Sequence, residues 1–262
     1  MPINGAEILL ECLIREGVEV IFGYPGGANI PIYDALYNSP VRHILTRHEQ
    51  GAVFAAEGYA RATGRPGVCL ATSGPGATNL VTGIADAKMD GVPLVCITGQ
   101  VRRGVIGTDA FQETDVVGMT LPITKWNCLV TKTEDLPRLV AQAFYLARSG
   151  RPGPVLIDLP VDVCKEKLDE VQYPDRNQIE LAGYTPANKE ALPFAKVIEM
   201  LAASRRPVAL VGAGTKWSQA TQQVRELLDR LKIPAVSTVQ GLGTIPEERP
   251  YYLGMVGMHG TR

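Results

Sequence analysis

Histidine is scarce, with three in the chain, and no pair of them has HxH or HxxxH spacing. That leaves no basis for a histidine-built metal centre. Five cysteines (Cys12, Cys69, Cys96, Cys128, Cys164) are widely spread and form no CxxC pair. An odd, scattered set argues against a disulfide framework and for buried thiols in a reducing cytosol. Charge of one sign is also missing: 26 basic and 27 acidic residues give a formal net charge of −1. Nothing electrostatic therefore recommends nucleic acid or an anionic membrane surface as a partner. No long unbroken apolar run exists. Residues 66–85 carry no charge, but Pro66, Gly67, Gly74, Pro75, Gly76 and Gly83 interrupt them, which reads as strand, loop and helix start and not as a membrane span. The first apolar stretch contains Glu7 and Glu11, against a signal peptide, so the expected location is the cytoplasm.

What is present suits a globular protein. Apolar residues make up 45 % and charged residues 20 % of 262, enough for one large or two ordinary domains. Asn4 is placed to cap a helix with Ala6, Leu9, Leu10, Leu13 and Ile14 on one face, closed by Gly17. Strand and helix then alternate: strand 18–23, helix 30–37, strand 43–46, helix 49–63, strand 67–73, helix 77–89, strand 93–99. A short helix, strand 128–130, helix 137–149 and strand 154–160 follow. Apolar strands between amphipathic helices predict an α/β fold with a parallel sheet flanked by helices. Ligands of such sheets bind at the carboxyl ends of strands, where YPGG, TSGP and TGQV fall.

The rhythm stops at 164–190, a polar stretch with Pro174 and Pro186 that reads as a linker between a first domain (1–163) and a second (191–262). In the second, helix 192–203, strand 207–212, helix 219–231 and strand 234–238 describe an incomplete Rossmann-like unit. VGAGT (211–215) begins like a dinucleotide loop, but Trp217 occupies the third glycine position, so the fingerprint fails.

Six motifs in order carry a family likeness: FGYPGG (22–27), RHEQGAVFAAEGYAR (47–61), TSGPGATNLVTGIADA (72–87), IGTDAFQE (106–113), RSGRPGPVLIDLP (148–160) and GMVGMHGT (254–261). Together they resemble the catalytic large subunits of acetolactate synthases, thiamine-diphosphate enzymes that condense two 2-oxo acids with loss of CO2. The resemblance implies a thiamine-diphosphate pyrimidine-binding domain followed by the start of a central FAD-binding-type domain. It makes Glu49 the carboxyl that bonds pyrimidine N1′ and favours the imino tautomer; shielding from water is what such proton sharing requires. Gly26 and Gly27 then lie beside the reactive carbon, and Phe111 and Gln112 belong to a loop closing over it. Thr72, Pro75 and Asn79 surround the aminopyrimidine. Arg151, Gly212, Gly214, Thr238, Val239, Met258, His259 and Gly260 match positions that contact FAD.

Such subunits are about twice as long, and their Mg2+ ligands sit in a C-terminal GDG…N segment that this sequence lacks. The resemblance therefore implies an N-terminal part, inactive by itself, from a homodimer or tetramer, with a small regulatory subunit as a further partner. Val161 stands where the family usually has a lysine lining the substrate channel, and Arg102 and Gly104 depart from it in the loop 100–107. Other thiamine enzymes, such as a sulfoacetaldehyde acetyltransferase or a split 2-oxo acid decarboxylase, remain alternatives, as does a non-catalytic flavin- or nucleotide-binding module.

Overall fold

A computed structural model describes residues 2–175 and 192–260. It divides into two compact units, Met1–Thr185 and Pro186–Arg262. The part of the expected linker at 176–190 lies outside the described residues, but its start does not. Helix α8 (Val161–Lys165) buries Cys164, and strand β8 (Lys167–Leu168) pairs antiparallel with β1 (Ile3–Asn4). Residues 164–168 are thus packed against the first unit.

Helix α1 (Gly5–Arg15) starts where its cap dictates. Asn4 Oδ1 accepts from Glu7 N (3.0 Å), and Glu7 Oε2 accepts from Asn4 N (2.8 Å), satisfying two otherwise orphaned donors. Strands β2 (Val20–Gly23), β3 (Arg42–Leu45), β4 (Gly67–Ala71), β5 (Leu94–Gln100), β6 (Trp126–Leu129) and β7 (Pro154–Pro160) form one sheet, order β3-β2-β4-β5-β7-β6, every pair parallel. β4, β5 and β7 are buried at every position, as expected of central strands covered on both faces. Val68, Leu70, Val95, Ile97, Val155, Ile157 and Leu159 point to one face and share a core with α1 and α7 (Leu136–Arg148). The other face meets α3 (Glu49–Thr63), α5 (Val81–Asp90) and α6 (Val116–Thr120). Short helices α2 (Ile30–Leu36) and α4 (Pro75–Thr78) complete the unit.

The single helix expected over 77–89 is instead two, α4 and α5, broken at Asn79 and Leu80. Leu80 is fully buried and the Asn79 side chain is drawn to Glu49, so tertiary contacts override helical continuity there.

The second unit has a parallel sheet ordered β11-β10-β9 (Tyr252–Met255, Ala235–Ser237, Ala209–Val211) with α9 (Phe194–Ala203), α10 (Gly214–Trp217) and α11 (Thr221–Leu231). Strand β11 is absent from the pattern-based reading, because YLGM shows neither alternation nor a β-branched run. The helix expected over 219–231 starts at Thr221, after Gln219 takes φ +56°.

Candidate active site

Strand order places the crevice. From β2 the chain goes to β3 on one side, then returns past β2 to β4, so the loops leaving β2 and β4 diverge between neighbouring strands. That is a topological switch point, where open α/β sheets bind ligands. The first loop is Tyr24-Pro25-Gly26-Gly27. Buried Asn29 fixes it: Oδ1 accepts from Gly26 N (2.8 Å) and Nδ2 donates to Tyr24 O (3.3 Å). The second loop, Thr72-Ser73-Gly74-Pro75, is tied to the first because Ala28 N donates to Thr72 Oγ1 (3.2 Å).

Glycine is required where the loops meet. A Cβ at Gly26 would stand 2.5 Å from Thr72 Cγ2; one at Gly76 would stand 2.7 Å from the same atom and 3.1 Å from Glu49 Oε1. The missing side chains let both backbones pack directly against Thr72, with Gly76 beside the Glu49 carboxyl. A Cβ at Gly27 would meet nothing within 4 Å.

Glu49 is the first residue of α3, one step beyond its N-cap His48, whose Nδ1 accepts from Gln50 N (3.1 Å). His48 is a helix cap. The Glu49 side chain turns inward and is 8 % exposed; Asn79 Nδ2 donates to its Oε2 at 2.9 Å. Asn79 reaches it because α4 ends at Thr78, and Pro75 supplies the first residue of that short helix. The pattern-based reading missed two neighbours. The Tyr33 hydroxyl lies 3.2 Å from His43 Nε2, with the rings edge to face at 4.9 Å. Burial, and secondly the Glu49 carboxylate, push the Tyr33 phenol well above its ordinary pKa, so it stays neutral. Burial lowers His43, partly offset by a hydrogen bond to the Gly23 backbone. No sequence spacing signals this pair.

The loop of residues 106–113 abuts the Thr72–Pro75 turn. Gly74 has φ +55°, and a Cβ there would come within 2.5 Å of the Gln112 carbonyl oxygen. Gln112 itself holds φ +59° and Asp109 φ +57°, conformations disfavoured for side-chain-bearing residues and therefore imposed by the loop. The Glu113 carboxylate imposes them: it accepts from the backbone N–H of Gly107 and of Ala110 (3.0 Å), bonds that lower its pKa. The Gln112 backbone therefore meets the site, whereas its side chain and that of Phe111 (87 % exposed) are solvent-facing. Arg103 anchors the loop's origin, donating to Asp162 Oδ2 (2.8 Å) and to Glu166 Oε2 (3.0 Å). The residue beside Asp162 is Val161, half-buried at the start of α8.

The residues expected at FAD fall at two places. Arg151 precedes β7, at the sheet edge opposite the Glu49 loops, and donates to the Met89 carbonyl at the end of α5. In the second unit, Gly212 and Gly214 follow β9, Thr238 and Val239 follow β10, and Met258, His259 and Gly260 follow β11, all at the carboxyl edge of its sheet. Thr238 caps its turn by accepting from Gly241 N (3.2 Å), while Val239 (61 %) and Met258 (94 %) are exposed. One acidic group, Glu57 with Asp86 and Asp90, encloses the Arg61 guanidinium, which bonds Glu57 at 2.5 Å and Asp90 at 2.6 Å. It is an ion-pair cluster with its own cation.

A buried carboxyl with one oxygen held by an amide and the other beside the Gly76 backbone can share a proton with a heteroaromatic base. The likeness to known proteins agrees with that chemistry. Residues 3–119 match the thiamine pyrophosphate enzyme N-terminal TPP binding domain, and residues 194–262 match the thiamine pyrophosphate enzyme central domain. Over 99 % of its length the chain is 52 % identical to the acetolactate synthase isozyme 2 large subunit of Escherichia coli, covering 46 % of that protein. It is 52 % identical to an acetolactate synthase of Mycobacterium bovis (42 % covered) and 51 % identical to a probable acetolactate synthase large subunit of Methanocaldococcus jannaschii (44 % covered). The chain thus spans under half the length of these relatives. No described helix is long and apolar enough to cross a membrane.

Proposed function

With the N-terminal cofactor-binding and central domains of the thiamine pyrophosphate enzymes both on this chain, we propose that it is the N-terminal part of an acetolactate synthase large subunit. The observation that carries this reading is the Glu49 carboxyl, buried, fixed by Asn79 and lying beside the Gly76 backbone at the turn that also meets Gly26 through Thr72. An aminopyrimidine suits that carboxyl: its ring nitrogen accepts a proton shared with it. Bound thiamine diphosphate supplies a nucleophilic carbon and an electron sink for decarboxylative condensation of pyruvate with pyruvate or 2-oxobutanoate.

The chain's own residues do the rest. Glu49 holds a proton at the ring nitrogen, and its low exposure keeps water from competing for it. Asn79 fixes which carboxyl oxygen faces the base. Thr72 and Pro75 bound the ring, and Gly26 and Gly27 let the reacting centre approach the backbone. Gln112 and Phe111 belong to the loop beside it. In the second unit, the loops after β9, β10 and β11 are suited to cradle FAD. Magnesium binds outside this chain, in the remainder of the longer protein. A cytoplasmic homodimer or tetramer, with a small regulatory subunit, completes the proposal.

Glu49→Gln in the complete protein tests it. Gln keeps the size and the Asn79 bond but cannot share the proton, so pyruvate consumption falls about 10²- to 10⁴-fold while the melting temperature stays put. Turnover near the unmodified level would overturn the assignment.

A further inference from the structure

On the α3–α5–α6 face of the sheet, one fully buried carboxyl takes no part in the chemistry above. Asp158, on β7, is 1 % exposed and sits opposite Thr98 on β5. Thr98 Oγ1 donates to Asp158 Oδ1 (2.7 Å), and Gln100 Nε2 donates to Asp158 Oδ2 (2.9 Å). The same Nε2 donates to the Thr114 carbonyl (3.0 Å), while Gln100 Oε1 accepts from Val101 N (2.8 Å). Every hydrogen-bonding group of the Gln100 amide that these contacts use is committed in one orientation. Flipping it would turn the amide oxygen onto a carboxylate and a carbonyl. Asp158 therefore decides which way Gln100 points, and Gln100 decides where Thr114 lies. Thr114 closes the loop that carries Phe111 and Gln112, and three residues on a second clamp takes over: Asn127 Nδ2 donates to Val117 O (2.7 Å) and Thr120 Oγ1 (2.9 Å).

We propose that Asp158 and Gln100 are positioning residues that hold the 106–113 loop, through the Thr114 carbonyl, against the Gly74 turn at the mouth of the cofactor crevice. A buried polar network in the middle of an otherwise apolar sheet face is costly unless fully satisfied. Here it is satisfied, and among the described residues its link to a distant segment outside the sheet runs to this loop, through the Thr114 carbonyl. The ladder of β5 to β7 does not need it, since backbone bonds pair those strands along their length. That the loop serves the reaction rests on the function proposed above; that it is clamped does not.

Amide hydrogen exchange on the full chain tests the clamp without any assay of activity. The amides of Ala110 and Glu113 are bonded within the loop (3.0 and 2.9 Å) and report its order. Gln100→Met, of similar size without donors, speeds their exchange about tenfold, while amides of β5 and β7 keep their protection. Asp158→Asn retains an acceptor toward Gln100 and leaves loop exchange within about twofold. Thr98→Val loses one hydroxyl, frees Asp158 to turn, and speeds loop exchange severalfold; it decides the matter should Gln100→Met loosen the whole unit. Unchanged loop exchange in Gln100→Met, or in Thr98→Val, overturns the proposal. In the complete enzyme, Gln100→Met lowers kcat with little change in KM for pyruvate. A freed loop with unaltered kcat would count against Gln112 at the reaction centre and leave the clamp standing.

Discussion

Gly83 offers a quantitative test of how the helix bearing Glu49 is seated. It lies on α5 against Val53 of α3, and an added Cβ would stand 2.3 Å from Val53 Cγ1 and 2.8 Å from Cγ2. Ordinary carbon contacts begin near 3.5 Å, so the overlap exceeds about 1 Å. Val53 is fully buried and β-branched, with one strongly preferred rotamer in a helix, so it cannot swing aside. The helices must part instead. Overpacking of this kind costs about 1–3 kcal/mol, against about 1 kcal/mol gained by replacing a helical glycine with alanine. Gly83→Ala therefore destabilises the first unit by up to about 2 kcal/mol. Val53→Ala alone also destabilises, through a lost pair of methyl groups and the cavity they leave. Combined, the two relieve each other, with a coupling of about 1–3 kcal/mol relative to additivity. Urea unfolding reads this cleanly in a Trp217→Phe background, where Trp126 is the remaining tryptophan and reports the first unit. Stabilisation by Gly83→Ala, or simple additivity in the double variant, would refute the packing argument. In the complete enzyme the same substitution shifts the helix one turn from Glu49, and a displacement near 1 Å costs about 10²-fold in rate.

Asn79→Ala removes the donor to Glu49 Oε2 and costs about 1.5–3 kcal/mol in stability, measurable by denaturant midpoint, with a clear fall in turnover. Burial raises the Asp158 carboxyl to about 7, against the Thr98 and Gln100 bonds that lower it and with nearby Asp115 adding to the rise. The folded state then holds a proton that the unfolded chain releases near pH 4, so this group's contribution to stability declines as pH climbs from about 4 to 7 and is flat above. The slope approaches about 1.4 kcal/mol per pH unit. Asp158→Asn abolishes that slope; parallel stability–pH curves for the two proteins would contradict it. On the proposed reading, which puts the diphosphate's anchor outside this chain, calorimetric titration of the chain with thiamine diphosphate and magnesium shows weak binding; micromolar affinity would contradict that reading.

Much of the architecture is legible in the residues, for local physical reasons. Asn4 with Glu7 writes the start of α1, Gly64 in a left-handed conformation (φ +73°) ends α3, and the apolar runs of β4, β5 and β7 can only be strands covered on both sides. Glu49 and the glycine turns stand out because a motif series surrounds them. The α4–α5 break at Asn79 does not stand out, nor does the short strand β11, since each exists only by virtue of a distant neighbour. Gln112 shows the same limit: the resemblance implies a loop closing over a reactive carbon, while only the structure sets its carbonyl against Gly74 and its side chain toward solvent.

The sequence by itself determined the alternation of strands and helices and the parallel, doubly covered sheet, because capping, periodicity and glycine are properties of neighbours in the chain. Only the tertiary structure decided that Asn79 grips Glu49, that Tyr33 meets His43, and that Asp158 reaches the loop through Gln100. Strand order joins residues 58 positions apart in that last contact, and no local pattern encodes which strands become neighbours.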